Sequence, residues 1–187
     1  MLGYGYPIEN LKKCQDRGIH FIGADSGSTD PGPYYLGSGN GFVKSAQIVR
    51  DLEPMLLSAR RQRIPLIIGT AGGSGARPHV DSFLKLLGQI AARNGLHFRL
   101  AVIYADIDKS TVLDALSSDR ILPCGPVPAL TRDVVQHSVN VVGQMGTDPF
   151  IEALEAGADV IVAGRSCDTA IFSAYPIWKG FDSGLAL

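Results

Sequence analysis

Two short stretches concentrate the side chains able to move protons or hold a charged ligand. The first is Asp25-Ser26-Gly27-Ser28-Thr29-Asp30, in which two carboxylates, three hydroxyls and a glycine follow the apolar run Ile19 to Ala24. That set suits a sugar, an amino group, a hydroxy acid or a metal-bridged phosphate. The second is Arg165-Ser166-Cys167-Asp168-Thr169, where a charged pair and three small polar groups interrupt two apolar segments. Asp25, Asp30, Arg165 and Asp168 are the candidate catalytic groups. The aspartates at 25 and 30 would handle protons; Arg165 and Asp168 would orient a substrate or stabilise developing charge. Ser26, Gly27, Ser28, Thr29, Ser166, Cys167 and Thr169 are candidate ligand contacts. A capped turn uses the same residue types, because Asp, Ser and Thr satisfy local backbone donors. The density of the first stretch favours function. Cys167 has no histidine beside it and reads as a buried structural thiol rather than a nucleophile.

A third stretch, Gly69-Thr70-Ala71-Gly72-Gly73-Ser74-Gly75-Ala76-Arg77, reads as a loop between a strand, Pro65 to Ile68, and a helix. Free amides and the dipole at a helix start attract anions. Arg77 would add a bidentate grip on a carboxylate or phosphate. Thr70, Gly72, Gly73, Ser74, Gly75 and Arg77 therefore join the ligand set. Neither GxGxxG nor GK[ST] is present, so the dinucleotide and P-loop fingerprints are not met, and glycines of this kind also serve close packing. Gln144, Thr147 and Asp148 close a later loop, where Thr147 or Asp148 also reads as a cap ahead of Pro149. Among His20, His79, His97 and His137, only His79 is placed to act as a general acid or base. No histidine or cysteine spacing indicates zinc. No cofactor is required; a divalent cation at Asp25 and Asp30 is the one metal option.

These groups need elements to position them. Ile19 to Ala24, Pro65 to Ile68, Phe98 to Tyr104, Asn140 to Val142 and Asp159 to Ala163 read as strands. Helices are expected over Lys44 to Arg61, where Pro54 is a kink site, after Arg77 to about Arg93, over Ser110 to Leu116 and Pro149 to Glu155, and after Thr169. Strand, loop and helix in repetition predict an α/β, Rossmann-like three-layer domain with a mostly parallel sheet and helices on both faces. Parallel strands bring their carboxyl ends to one edge, where ligands bind. The separated stretches should therefore meet. The expectation is one domain over residues 1–187, with an irregular Pro-rich stretch at about 122–130.

Bulk properties narrow the partners. With 45% hydrophobic and 19% charged residues the chain is globular in type. A net charge of -1 leaves no basic surplus for a phosphate backbone, so nucleic acid is not an expected partner. The apolar runs are too short to span a bilayer. Three scattered cysteines and a start without a signal-like apolar core point to the cytoplasm.

Ile22 to Thr29 resembles the first phosphate loop of actin-like sugar kinases and chaperone ATPases, although Asp30-Pro31-Gly32-Pro33 stands where those proteins continue into a hairpin. A broader likeness runs through Gly23 to Gly37, Ile68 to Gly75 and Ala163 to Ala170, and covers nearly the whole chain. It resembles the acyclic terpene utilisation AtuA-like family. The resemblance implies a cytoplasmic protein of bacteria or fungi, associated with degradation of branched acyl compounds or other small carbon sources; it carries over no catalytic residues. Members of that family run beyond Leu187, so the chain reads as an N-terminal part, a fragment or one half of a split protein. A homo-oligomer or a partner chain completing the domain would fit. The leading expectation is an enzyme or enzyme subunit acting on a small anionic metabolite, a carboxylate or acyl-CoA, by hydration, lyase or isomerase chemistry. The alternatives are a non-catalytic metabolite-binding or scaffold subunit and an actin-like phosphate-binding protein.

Overall fold

The computed structural model describes residues 1–186. Along the chain run α1 (Ile8–Asp16), β1 (Ile22–Gly27), α2 (Tyr34–Ser38), α3 (Ser45–Gln62), β2 (Leu66–Gly73), α4 (Arg77–Arg93) and β3 (Leu100–Ile103). There follow α5 (Lys109–Ser117), α6 (Arg132–His137), α7 (Asp148–Glu155), β4 (Val160–Ala163), α8 (Asp168–Trp178) and α9 (Ser183–Ala186). Among the described residues, four strands form one all-parallel sheet in the order β1-β2-β4-β3.

Alternation along the central strands makes the sheet two-sided. Leu66 and Ile68 of β2, with Val160 and Val162 of β4, pack with Leu52 and Leu56 of α3 and Val80, Phe83, Leu87 and Ile90 of α4. The intervening Ile67, Ile161 and Ala163 pack with Phe150 and Leu154 of α7 and Ala170, Ile171 and Ala174 of α8. Side chains two apart share a face, so near-continuous apolar runs are what a sheet covered on both sides requires. The result is the expected three-layer α/β domain.

The path also explains which helix lies where. From β1 to β2 to β3 the chain advances across the sheet, then returns to insert β4 between β2 and β3. Parallel crossovers are right-handed, so reversing direction moves the connecting helix to the opposite face. α3 and α4 accordingly cover one face, α7 and α8 the other. Between β2 and β4 the chain leaves toward opposite faces, which is the topological switch point of the sheet.

Several boundaries differ from expectation. β1 runs on through Asp25, Ser26 and Gly27, and β2 through Gly69 to Gly73, residues read from the sequence as loops. The extension is a pairing of glycines: Gly27 lies opposite Gly73, past an irregularity between Asp25 and Gly27. Asn140 to Val142 is not a strand of the sheet. Val142 makes an isolated antiparallel bridge to Asp106, so this segment crosses the exit of β3. β3 is shorter than expected and, as an edge strand, only partly buried. α3 continues through Pro54 to Gln62. After β1 the chain passes through a turn into α2, and β1 pairs parallel with β2; the hairpin of actin-like phosphate loops is not formed. No helix of the described residues is long and apolar enough to cross a membrane.

Candidate functional site

The exits of β1 and β4 enclose a cavity of about 460 Å³. Its walls are Gly27, Ser28, Thr29 and Asp30 from one side, Arg165, Ser166, Cys167, Asp168 and Thr169 from the other, and Gln144. A second cavity of about 450 Å³ contains Asp25, with Tyr6, Met55 and Phe172 in its wall. Asp168 lines both, so the two cavities meet at that residue; the pair is called the trough below.

The electrostatics of the trough centre on three groups. Burial raises the pKa of Asp25, Asp168 adds to the rise, and the Gly27 amide and Arg165 oppose it. The Gly27 N–H donates to Asp25 Oδ1 at 3.0 Å. Arg165 is also half-buried; desolvation lowers its pKa, against the attraction of Asp25 and Asp168. A carboxyl whose pKa is raised, within electrostatic reach of a partly desolvated guanidinium, can donate or accept a proton while the cation holds an anionic group.

Asp25 and Asp30, paired as a cation site in the sequence reading, line different cavities, and the carboxylate that faces Asp25 is Asp168. Asp30 is exposed, its amide donating to Ser28 Oγ at 3.1 Å. Among the described residues no three His, Cys, Asp or Glu side chains group to hold a metal ion. Cys167, expected to be buried, is half-buried at the cavity wall. Hydrogen bonds from the Thr169 hydroxyl and amide lower its thiol pKa, with Sγ 3.3 Å from Thr169 Oγ1. Ser26 is buried within β1.

The glycine-rich third stretch does something else. Thr70 through Ala76 are all buried. The Arg165 N–H donates to Gly75 O at 3.1 Å, and the Thr70 N–H donates to Gly164 O at 3.0 Å. A Cβ on Gly75 would collide with the Arg165 backbone, and one on Gly164 with Gly75 O. Thr70, a β-branched residue at φ 47°, is held by Ser166: its N–H donates to Ser166 Oγ at 3.1 Å, and its Oγ1 accepts from Ser166 N at 3.2 Å. The switch-point crevice is thus closed by backbone contact, and Gly72 to Gly75 do not line the trough. Arg77 is turned away, its guanidinium 3.8 Å from the Tyr104 ring centroid. Thr147 occupies the N-cap position of α7 without a side-chain cap bond, and neither it nor Asp148 lines the trough. His79 is buried under α2, where its Nε2 meets Tyr35 O at 2.9 Å, so it is not placed with Asp25.

The sequence reading missed the N-terminal arm. The Leu2 N–H donates to Asp25 O at 2.7 Å, and Tyr6 closes the Asp25 cavity. Buried Asp51 of α3 fixes the arm by accepting from the amides of Gly3 at 2.7 Å and Gly5 at 2.8 Å. Burial and Asp51 push the Tyr6 phenol up to about 12. The alternating glycines at 3 and 5 were the available signal, since each has a positive φ.

Comparison with curated proteins and with solved structures gives no match. A family model does match, over residues 37–182, which takes in β2, β4 and the Arg165 to Thr169 wall and leaves β1 with Asp25 outside. Over most of its length, therefore, the chain belongs to the acyclic terpene utilisation family AtuA.

Proposed function

We propose that, within the acyclic terpene utilisation role its family implies, this chain is an enzyme or enzyme subunit acting on a small carboxylate or acyl thioester in the trough between β1 and β4. Arg165 holds the anionic or carbonyl oxygen of the substrate. Asp25, its pKa raised by burial, serves as general acid and base, and Asp168 adds a second negative charge that attracts the guanidinium. Hydration, elimination or isomerisation next to a carbonyl needs a proton placed and removed beside a polarised oxygen. The observation that carries this reading is that Asp25 and Arg165, from segments far apart in sequence, line two adjoining cavities with Asp168 in the wall of both, and that each of the three charges acts on the others.

A second reading, a binding subunit of a larger assembly, has support of its own. Phe21, Tyr175 and Phe181, with His20 and Lys179, line a nearly wholly apolar hollow of about 450 Å³ on the outer face of α8. Such a surface suits a protein partner.

A thermal-shift screen of carboxylates and acyl thioesters tests both. A ligand at a hundred times its Kd should add about 2.7 kcal/mol of stability, lost in Arg165→Ala. Turnover of that ligand abolished by Asp25→Asn with binding kept supports the enzyme. Binding with no turnover in wild type supports the subunit. A ligand bound equally by Arg165→Ala removes the trough from either role.

A further inference from the structure

Asp51, within α3, is 3% exposed and carries a charge into the interior. Taking a carboxylate out of water is costly unless donors replace the solvent. Both of its oxygens are met. Oδ2 accepts from the amides of Gly3 at 2.7 Å and Gly5 at 2.8 Å, and Oδ1 accepts from Arg50 Nε at 2.7 Å. Burial pushes Asp51 up, but the Arg50 guanidinium and the two amides outweigh it and hold the carboxyl below its usual value. It is therefore ionised at neutral pH. Arg50 Nη2 also donates to Gly3 O at 3.2 Å, and the Tyr6 hydroxyl donates to Asp51 O at 3.0 Å. Glycine suits both alternate positions, with φ 100° at Gly3 and 87° at Gly5, and a Cβ on Gly3 would collide with Val43.

These bonds hold residues 2 to 6 against β1, an edge strand of the sheet, where the Leu2 N–H donates to Asp25 O at 2.7 Å. Leu2 packs into the core, and Leu2, Gly5 and Tyr6 are the arm's share of the cavity around Asp25. The same wall takes in Met55, about one helical turn after Asp51, and Asp168 and Phe172 of α8. One helix thus lines the cavity and carries the latch for the arm that lines it too. Leu52 and Leu56 pin that helix to the core.

We infer that Asp51 is a positioning residue for Asp25: through the arm of residues 2–6 it holds in place the wall that shields this carboxyl from bulk water. The charges acting on Asp25 are Asp168 at the start of α8, Arg165 at the exit of β4 and the Met1 ammonium, with the Tyr6 phenol in the cavity wall. Burial is the largest influence and acts upward; the Met1 ammonium acts downward and less. Freeing the arm admits water and withdraws that ammonium, and the first effect is the larger. The task of Asp25 as general acid and base rests on the reading proposed above; its shielding by the arm does not.

Carbon NMR titration of the Asp25 carboxyl, with hydrogen exchange at the Gly3 amide, tests this on the whole chain. In Asp51→Asn a side chain with one oxygen and an NH2 group must face two amides and a guanidinium, all donors. Gly3 exchange should quicken by about tenfold or more. Asp25 should then titrate closer to the usual carboxylate value than in wild type. Gly3→Ala lifts the arm while keeping the Asp51 charge, and should move Asp25 the same way. Glu53→Gln removes a charge from the same helix, at a side chain bonded to Arg93 and Asn94, and should leave Asp25 unmoved. An Asp25 titration unmoved or higher in either arm variant would overturn the assignment, because β1 and α8 would then shield the carboxyl unaided. Unchanged Gly3 exchange in Asp51→Asn, or an equal shift in Glu53→Gln, would overturn it as well. The expected shift in a chain that binds no carboxylate or acyl thioester would retire the proposed chemistry and leave the role of Asp51 standing.

Discussion

The β2–β4 seam and the β1–β4 trough are built from similar residues, glycines and small hydroxyls next to Arg165, yet they have opposite fates. At the seam Thr70 bonds to Gly164 and Ser166, Gly75 accepts from the Arg165 amide, and water is excluded. In the trough Thr29, Asp30, Asp168 and Thr169 remain exposed around an open volume. Arg165 joins the two: its amide closes the seam and its side chain borders the trough. A rigid seam can thus fix the direction of a charged group whose head stays available. Pre-organisation of this kind keeps the cost of orienting a binding group out of the binding step.

The largest effect that would break this contrast is steric. Gly75→Ala forces a Cβ onto the Arg165 backbone from a residue at φ 75°. It should cost about 3–5 kcal/mol in chemical denaturation, combining overpacking with a left-handed backbone. Thr29→Ala, on the trough wall, should stay within about 0.5 kcal/mol. Equal losses at the two positions would mean the seam is no tighter than the trough.

A smaller effect sharpens the account of the seam. Thr70→Val keeps the shape but leaves the Ser166 N–H without its acceptor, and should destabilise by about 1–3 kcal/mol in the same measurement. A loss below about 0.5 kcal/mol would show that shape alone holds the seam.

The smallest effect probes the trough by pH. A carboxyl whose folded pKa is raised binds its proton more tightly in the folded than in the unfolded state. Its contribution to stability is present below the unfolded pKa and is lost as pH rises through the folded one. Asp25→Asn, which retains an oxygen for the Gly27 N–H, should therefore raise the melting temperature at pH 7. The gain should shrink as pH falls into the carboxylate range. A variant less stable than wild type at pH 7 would show that Asp25 is held as a favourable charge.

The alternation of Leu66 to Ile68 and Val160 to Ala163, and the spacing of apolar residues in α3 and α4, were legible because burial imposes periods of two and 3.6 on the chain. That the carboxyl ends of β1 and β4 share an edge follows from parallel pairing, which the order of elements implies. The glycine-rich stretch from Gly69 to Gly75 was misleading, since a glycine needed for a ligand and a glycine needed for a neighbouring backbone are the same letter. Likewise nothing local to Asp25 names Asp168 as the facing carboxylate, and nothing local to Asp51 marks it as the anchor of an arm 46 residues away.

By itself, then, the order of residues determined the α/β class, the sidedness of the sheet and the short list of groups able to do chemistry, because these depend on patterns local in the chain. Tertiary structure decided which of the polar loops is filled by its neighbours and which stays open. Those outcomes depend on how closely two backbones approach, a distance set by the packing of whole helices on both faces of the sheet.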